Sequence, residues 1–425
     1  MKYLITILLI SVMSLSLSAQ DQYIYCGSLI DVESGKLLKK KTIIVKNDRI
    51  HKIENGFVEA PKQARVIDLK NSFVLPGFFD MHVHLESETS PDNYIKPFTY
   101  NEADVAYEAQ KHAKTTLMAG FTSVRDLGGS GVNTSLRDAI KKGLVMGPTI
   151  YSAGKSIATT GGHADPTNGY KADLMGHPGP DQGVINGTAE AREAVRQRYK
   201  NGADVIKITA TGGVLSVAKS SQNPQFFEDE LRAIVETAND YGMITAAHAH
   251  GDEGMQRAVK AGIKTIEHGT LMSEETMELM KEHDAYLVPT ITAGKSVAEM
   301  AEIEGYYPEL VVPKAKAIGP QIQGTFEKAY KKGVNILFGT DAGVFKHGLN
   351  AKEFGYMVEV GMPAMEAIQS ATIVPAKLLK VDADYGSIEE GKMADLIAVK
   401  THPLETISTL ENVTFVMKHG KVVKP

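Results

Sequence analysis

The 425-residue chain has a single cysteine, Cys26, so no intramolecular disulfide can form. A chain with one cysteine cannot carry a disulfide framework, so its absence says nothing against export. Strong basic runs are also missing. The densest is Lys39-Lys40-Lys41, which reads as a solvated turn before a strand, and the net charge is −5. Nothing is there to neutralise phosphates, which excludes nucleic acid as a partner. Internal repeats and low-complexity segments are absent beyond the N-terminus. What is present is ordinary: 43% hydrophobic and 23% charged residues, enough to bury a sizeable core. The length suits one barrel-sized domain with a small accessory domain.

The N-terminus carries one charge at Lys2, an apolar run from Tyr3 to Met13, and a Ser-rich stretch ending Ser16-Leu17-Ser18-Ala19-Gln20. This pattern predicts a signal peptide over 1–19 with a cut near Ala19. The apolar run is short for a spanning helix, although an uncleaved anchor is the alternative. Tyr25 before Cys26 does not suit lipid attachment. The mature protein is expected to be periplasmic or secreted, with no stable membrane association once the signal is removed.

From Tyr23 to Leu69 short β-type runs (Tyr23–Leu29, Thr42–Lys46, Arg49–Ile53, Arg65–Asp68) are broken by turn residues. The C-terminus returns to this pattern at Asp395–Val399, Val413–Lys418 and Lys421–Val423. Between them, strands alternate with helices. Candidate strands are Phe73–His84, Phe121–Asp126, Thr149–Gly154, Val205–Ala210, Ile244–His250, Thr265–Gly269, Ala285–Ile291 and Ile336–Asp341. The alternation predicts an α/β fold: a (β/α)8 TIM barrel over 73–383, with residues 20–72 and 384–425 pairing into one β-sandwich. The helical segment 295–332 reads either as a cap over the site or as an assembly element.

Five of these segments end in residues with metal-binding chemistry. His82 and His84 are two apart, so on a strand they share a face and can bind one metal; taken alone they also suit a polar rim. Lys207 sits within the buried pattern Val205–Ile208, where an unpaired ammonium is costly. It can pair with an acid, lower its pKa, snorkel to the strand end, or become a carbamate that bridges two metals. His248 and His268 each end a short apolar strand and together suit a second metal. Asp341 closes Ile336–Thr340, where it can bind metal and take a proton from a metal-bound water, or simply cap the strand.

The run Leu75-Pro76-Gly77-Phe78-Phe79-Asp80-Met81-His82-Val83-His84 resembles the first-strand signature of the amidohydrolase superfamily. Phe338-Gly339-Thr340-Asp341-Ala342-Gly343 resembles its last, and Gly386–Leu396 its return into the sandwich. Within it, the chain is similar to the imidazolonepropionase-like branch that includes binuclear-zinc Xaa-Pro (prolidase-like) and Xaa-Arg/Lys dipeptidases and ochratoxin-type amidases. The resemblance implies two divalent metal ions, zinc, held by His82, His84 and Asp341 and by His248 and His268. A CO2-derived carbamate on Lys207 would bridge them. It further implies hydrolysis of an amide or peptide bond by a metal-bridging hydroxide, with Asp341 as proton acceptor. The substrate would be a dipeptide or N-acyl amino acid with a free carboxylate.

His250 shares the face of His248 where relatives often carry tyrosine, and would polarise the scissile carbonyl. His163, in the loop Thr160–Asp165, either contacts the substrate carboxylate, as the family loop does, or sits on a surface loop. His347 follows the last strand and is a candidate for the mouth. Homo-oligomeric assembly is common among relatives. Two other readings compete: a mononuclear deaminase or cyclic-amide hydrolase, whose relatives generally lack the bridging lysine, and a catalytically silent periplasmic zinc- or solute-binding protein.

Overall fold

A computed structural model describes residues 20–425, so the expected signal peptide over 1–19 lies outside the described residues. Strand β1 (Gln22–Asp31) buries Ile24, Cys26 and Leu29 and pairs antiparallel with β2 (Lys36–Lys46), which continues into β3 (Arg49–Asn55). β4 (Arg65–Pro76) runs parallel to β1. The C-terminal strands β15 (Leu396–Val399), β16 (Phe415–Lys418) and β17 (Lys421–Lys424) complete one seven-stranded sheet in the order β17-β16-β15-β4-β1-β2-β3.

Backbone bonds from Ile50 to Lys392 (2.9 Å) and from Ala394 to Asp48 (2.8 Å) draw the start of β3 against the chain entering β15. The sheet thereby curls into a sandwich around its own apolar core, with Ile24, Ile43, Leu396 and Phe415 inside. Cys26 belongs to that core, and burial pushes its thiol up to about 12, which leaves it unreactive.

The barrel strands are β5 (Phe78–Val83), β6 (Phe121–Asp126), β7 (Thr149–Ser152), β10 (Val205–Thr209), β11 (Ile244–Ala249), β12 (Thr265–His268), β13 (Tyr286–Val288) and β14 (Asn335–Ile336). A small ribbon of β8 (Ala158–Thr159) and β9 (Val184–Ile185) lies between the third and fourth of them. All paired neighbours are parallel. β5, β6 and β10 are buried at every position, as strands are when helices cover the outside of a parallel sheet. The ring closes through Asp204 N–H to Ser152 O (2.7 Å) on one side and Asp341 N–H to His82 O (2.7 Å) on the other.

Three expectations change in detail. The run 73–84 is two strands: its first part belongs to β4 of the sandwich, and β5 begins after Gly77. A Cβ on Gly77 would lie 2.2 Å from Thr122 Oγ1, so only glycine lets the chain pass from one domain to the other. The last strand keeps regular pairing only at Asn335–Ile336; beyond it Phe338 N donates to Ser370 O (3.0 Å) instead of a neighbouring barrel strand, and Asp341 sits at φ 60, off the strand conformation. Lys39-Lys40-Lys41, read as a turn, lies inside β2. Among the described residues, no helix is long and apolar enough to cross a membrane.

Candidate metal centre

β5 delivers His82 and His84 to the C-terminal end of the barrel. His84 Nδ1 donates to the Gly128 carbonyl (2.8 Å), so its Nε2 lone pair is free. That nitrogen lies 3.3 Å from Asp341 Oδ1, and His82 Nε2 lies 3.5 Å from the same oxygen. His82 Nδ1 is 2.9 Å from Glu267 Oε2, a close contact bent away from hydrogen-bond geometry. Glu267 is held in turn by Arg125, which donates to its Oε1 (2.8 Å) and to Met81 O (2.7 Å). A carboxylate behind a histidine ring fixes which nitrogen keeps the proton, a common arrangement behind metal-binding imidazoles.

Lys207, inside β10, is 4% exposed, and its Nζ lies 3.4 Å from His82 Nε2. Burial draws the ammonium down to about 8, against the pull of the nearby Glu267 and Asp341 charges. Asp341 answers in the opposite sense: burial pushes its carboxyl up to about 7, with the Lys207 charge opposing. Asp341 Oδ1 is buried without a hydrogen-bond partner.

Two further histidines come from β11 and β12. His248 Nε2 donates to Gly212 O (3.1 Å), leaving Nδ1 free, and His268 Nδ1 meets Thr290 Oγ1 at 2.7 Å. His268 and Thr290 are in the left-handed region, at φ 72 and φ 51, and Asp341 joins them there. Non-glycine residues held in that conformation store strain, which concentrates at functional sites.

His250 lies beside this pair, its ring 4.9 Å from that of His268 and its Nδ1 2.9 Å from Thr270 Oγ1. His163 packs over His248 at 4.3 Å between centroids. Its loop is built rather than loose: Asp165 accepts from Gly161 N (2.8 Å) and Thr167 N (2.9 Å), and Gln225 accepts from His163 N (2.8 Å). A Cβ on Gly213 would fall 2.1 Å from the His163 ring, so glycine is what lets that ring lie where it does.

His347 is the expected site residue that stays outside. It is 6% exposed, yet it does not line the cavity. Its Nε2 meets Ser87 O (2.9 Å), and its ring stacks on His112 at 4.6 Å, which fastens the 343–350 loop to the segment after β5. Glu267, Arg125 and Thr290 are the residues that motif reading passed over. The first two carried a visible signal, a charged side chain inside an otherwise apolar strand.

The donors form two overlapping groups, His82 with His268 and Asp341, and His248 with His250 and His268, each with ligand atoms within 4.8 Å of one another. Burial keeps these rings neutral: His84 is drawn down to about 4, His250 to about 3, and His82, His248 and His268 well below the usual imidazole range. Neutral imidazoles, a carboxyl with an orphaned oxygen and a buried lysine fit divalent metal: the imidazole lone pairs carry no competing proton, and Asp341 and Lys207 would each release one. The groups open onto a cavity of about 260 Å³, near the lower end for small-molecule pockets.

Comparison with known proteins gives a consistent set of likenesses. The sequence profile of the Amidohydrolase family matches residues 73–423. A crystal structure of a Xaa-Pro dipeptidase with methionine bound in its active site is 55% identical, with a TM-score of 0.92, covering 96% of this chain and all of that one. A prolidase crystallised with N-methylphosphonate-L-proline is 33% identical at a TM-score of 0.87, over 95% of this chain and all of that one. Ochratoxinase from Aspergillus niger is 32% identical over 96% of this chain and 87% of its own length.

Proposed function

The chain belongs to the amidohydrolase family, hydrolases of C–N bonds, and from that premise we propose that it cleaves the amide bond of dipeptides or N-acyl amino acids carrying a free carboxylate. The observation that carries this reading is the pair of overlapping His/Asp groups with Lys207 beside them, all buried at one end of the barrel. His82, His84 and Asp341 would hold one divalent ion and His248 and His268 the other, with Lys207 between them. To bridge, the neutral Lys207 amine adds to the carbon of CO2 and gives up a proton, leaving a carbamate anion. Bound there, a pair of zinc ions supplies Lewis acidity and an acidified water.

The protein's own groups then have distinct work. Asp341 takes the proton as the water oxygen bonds to the amide carbon, and returns it to the nitrogen as the C–N bond breaks. His250 donates toward the amide oxygen, or joins His248 and His268 as a ligand. His163 meets the substrate carboxylate. Glu267 and Arg125 hold His82 in one tautomer and one orientation. The likeness to a Xaa-Pro dipeptidase, a prolidase and ochratoxinase supports a substrate of this class.

The test is hydrolysis of Xaa-Pro, Xaa-Arg and N-acyl amino acids by the mature protein, before and after chelation. Release of free amino acid that stops on chelation and returns with zinc, cobalt or manganese is the expected result. Activity confined to cyclic amides or amino-heterocycles would favour the one-metal deaminase instead. Export is part of the proposal and rests on the composition of residues 1–19. Secreted or periplasmic protein beginning near Gln20 is the expected outcome of fractionation and N-terminal sequencing.

A further inference from the structure

The cavity has two unlike halves. One is the histidine, lysine and aspartate cluster described above. The other is an aliphatic wall made of Val297 from the helix Ile291–Met300, Ala315 and Ile318 from the helix Val312–Lys331, Val214 and Leu215 after β10, and Val344 after the last strand. These residues pack with Val311 and Tyr307 behind them as one apolar cluster. The segment that sequence alone left undecided between cap and assembly element therefore builds one side of the cavity.

We propose that this wall is a specificity pocket that selects substrates whose carboxylate-bearing residue has an apolar side chain. The inference rests on the amide-hydrolase reading and adds the chemical class of the residue released. Charge decides it. Among the described residues lining the cavity, Asp341 is the only carboxylate and Lys207 the only ammonium, and both belong to the histidine cluster rather than to the aliphatic wall. Lys314, on the helix that forms the wall, is spent. Its three protons go to the carbonyls of Gly213 (3.1 Å), Ser216 (2.7 Å) and Ala218 (2.8 Å), clasping the helix to the loop that carries Val214 and Leu215. A guanidinium, ammonium or second carboxylate on the substrate would be desolvated against this wall with no counter-ion. An aliphatic side chain there replaces water with apolar contact.

Position assigns the pocket to the carboxylate-bearing residue. The His163 ring lies directly over Gly213, and Val214 and Leu215 follow in the chain. A carboxylate and its side chain leave the same α-carbon. If His163 takes the carboxylate, the side chain must lie beside it, against Val214 and the two helices.

The experiment compares kcat/KM of metal-loaded protein for Ala-Leu and Ala-Met with Ala-Arg, Ala-Lys and Ala-Glu. The expected preference for the apolar pair is at least about a hundredfold, and adding methylenes should raise kcat/KM by about tenfold each until the space is filled. Val297→Asp should narrow or reverse the Leu/Arg ratio, chiefly through KM, while Val297→Thr, a gentler change, should lower the ratio without reversing it. Equal cleavage of Ala-Arg and Ala-Leu by the wild type, or an unchanged ratio in folded Val297→Asp, would overturn the proposal. Calorimetric binding of free L-methionine against L-arginine tests the pocket separately. If no amide is cleaved, the functional reading fails, yet tighter binding of methionine still supports the wall's role and equal binding refutes it.

Discussion

Lys207 is an amine buried among histidines at the end of a parallel strand, 3.4 Å from one of them. With burial drawing it to about 8, a useful share is neutral near physiological pH, the form that reacts with CO2. Lys207→Ala should therefore lose nearly all activity, and millimolar acetate or propionate should return part of it by standing in for the proposed bridging carbamate. Wild-type rates in that variant would remove Lys207 from the mechanism. The same residues set a pH dependence for metal uptake. The histidines are already neutral above about 4, as His84 illustrates, so they add no proton competition near neutrality. Asp341, raised to about 7, and Lys207, at about 8, must both lose protons. Metal affinity should rise at least about tenfold from pH 6 to pH 8, measured by competition with a chromophoric chelator, and a flat profile would contradict this. The sign for stability is the reverse. A carboxyl raised in the fold stabilises below its unfolded value of 3.8 and loses that contribution as pH rises through about 7. The metal-free chain should thus weaken from pH 6 to pH 8 in respect of Asp341, a loss that bound metal removes.

At the scale of elements, the strands that carry the candidate ligands were legible because each places a histidine, lysine or aspartate in a run that is otherwise apolar and buried. Glu267 carried the same signal, but its role depends on Arg125 reaching it from β6, a partner 142 positions away that no local pattern reveals. The apolar wall was not legible either. It is assembled from four separated segments, and each of its aliphatic residues looks in sequence like ordinary helix or loop packing. The His163 loop could be read as surface chain, and only its internal hydrogen bonds and the bare Gly213 beneath it distinguish it.

One helix terminus governs both halves of the cavity. Glu353, fully buried, accepts from Ile291 N (2.7 Å), Thr292 N (2.7 Å) and Thr292 Oγ1 (2.6 Å), capping the start of the helix Ile291–Met300 next to Thr290, the partner of His268. Burial pushes the Glu353 carboxyl up to about 8, against the pull of the bonds from Thr292 and Ile291. Glu353→Gln keeps the shape but offers one acceptor oxygen in place of two. It should cost about 1–3 kcal/mol in chemical denaturation, the penalty of leaving a buried donor unpaired. A change below about 0.5 kcal/mol would show that the cap is dispensable.

For the molecule as a whole, both ends of the chain meet in one sheet, and the barrel is an insertion between β4 and β15, which pair directly from Pro76 with Leu396 to Phe73 with Val399. That topology was readable because β-type runs reappear after the last barrel strand. The point of transfer was not, since it turns on a contact between Gly77 and Thr122 across the domain boundary. The barrel brings residues from five distant segments to one end, and the proposed hydrolysis requires them to hold two ions there. The direct measurement is metal content per chain of purified mature protein by elemental analysis, for wild type and for Lys207→Ala. The account predicts about two equivalents in the wild type and a marked loss in the variant. About one equivalent in both would contradict it and assign Lys207 a structural place beside a single metal.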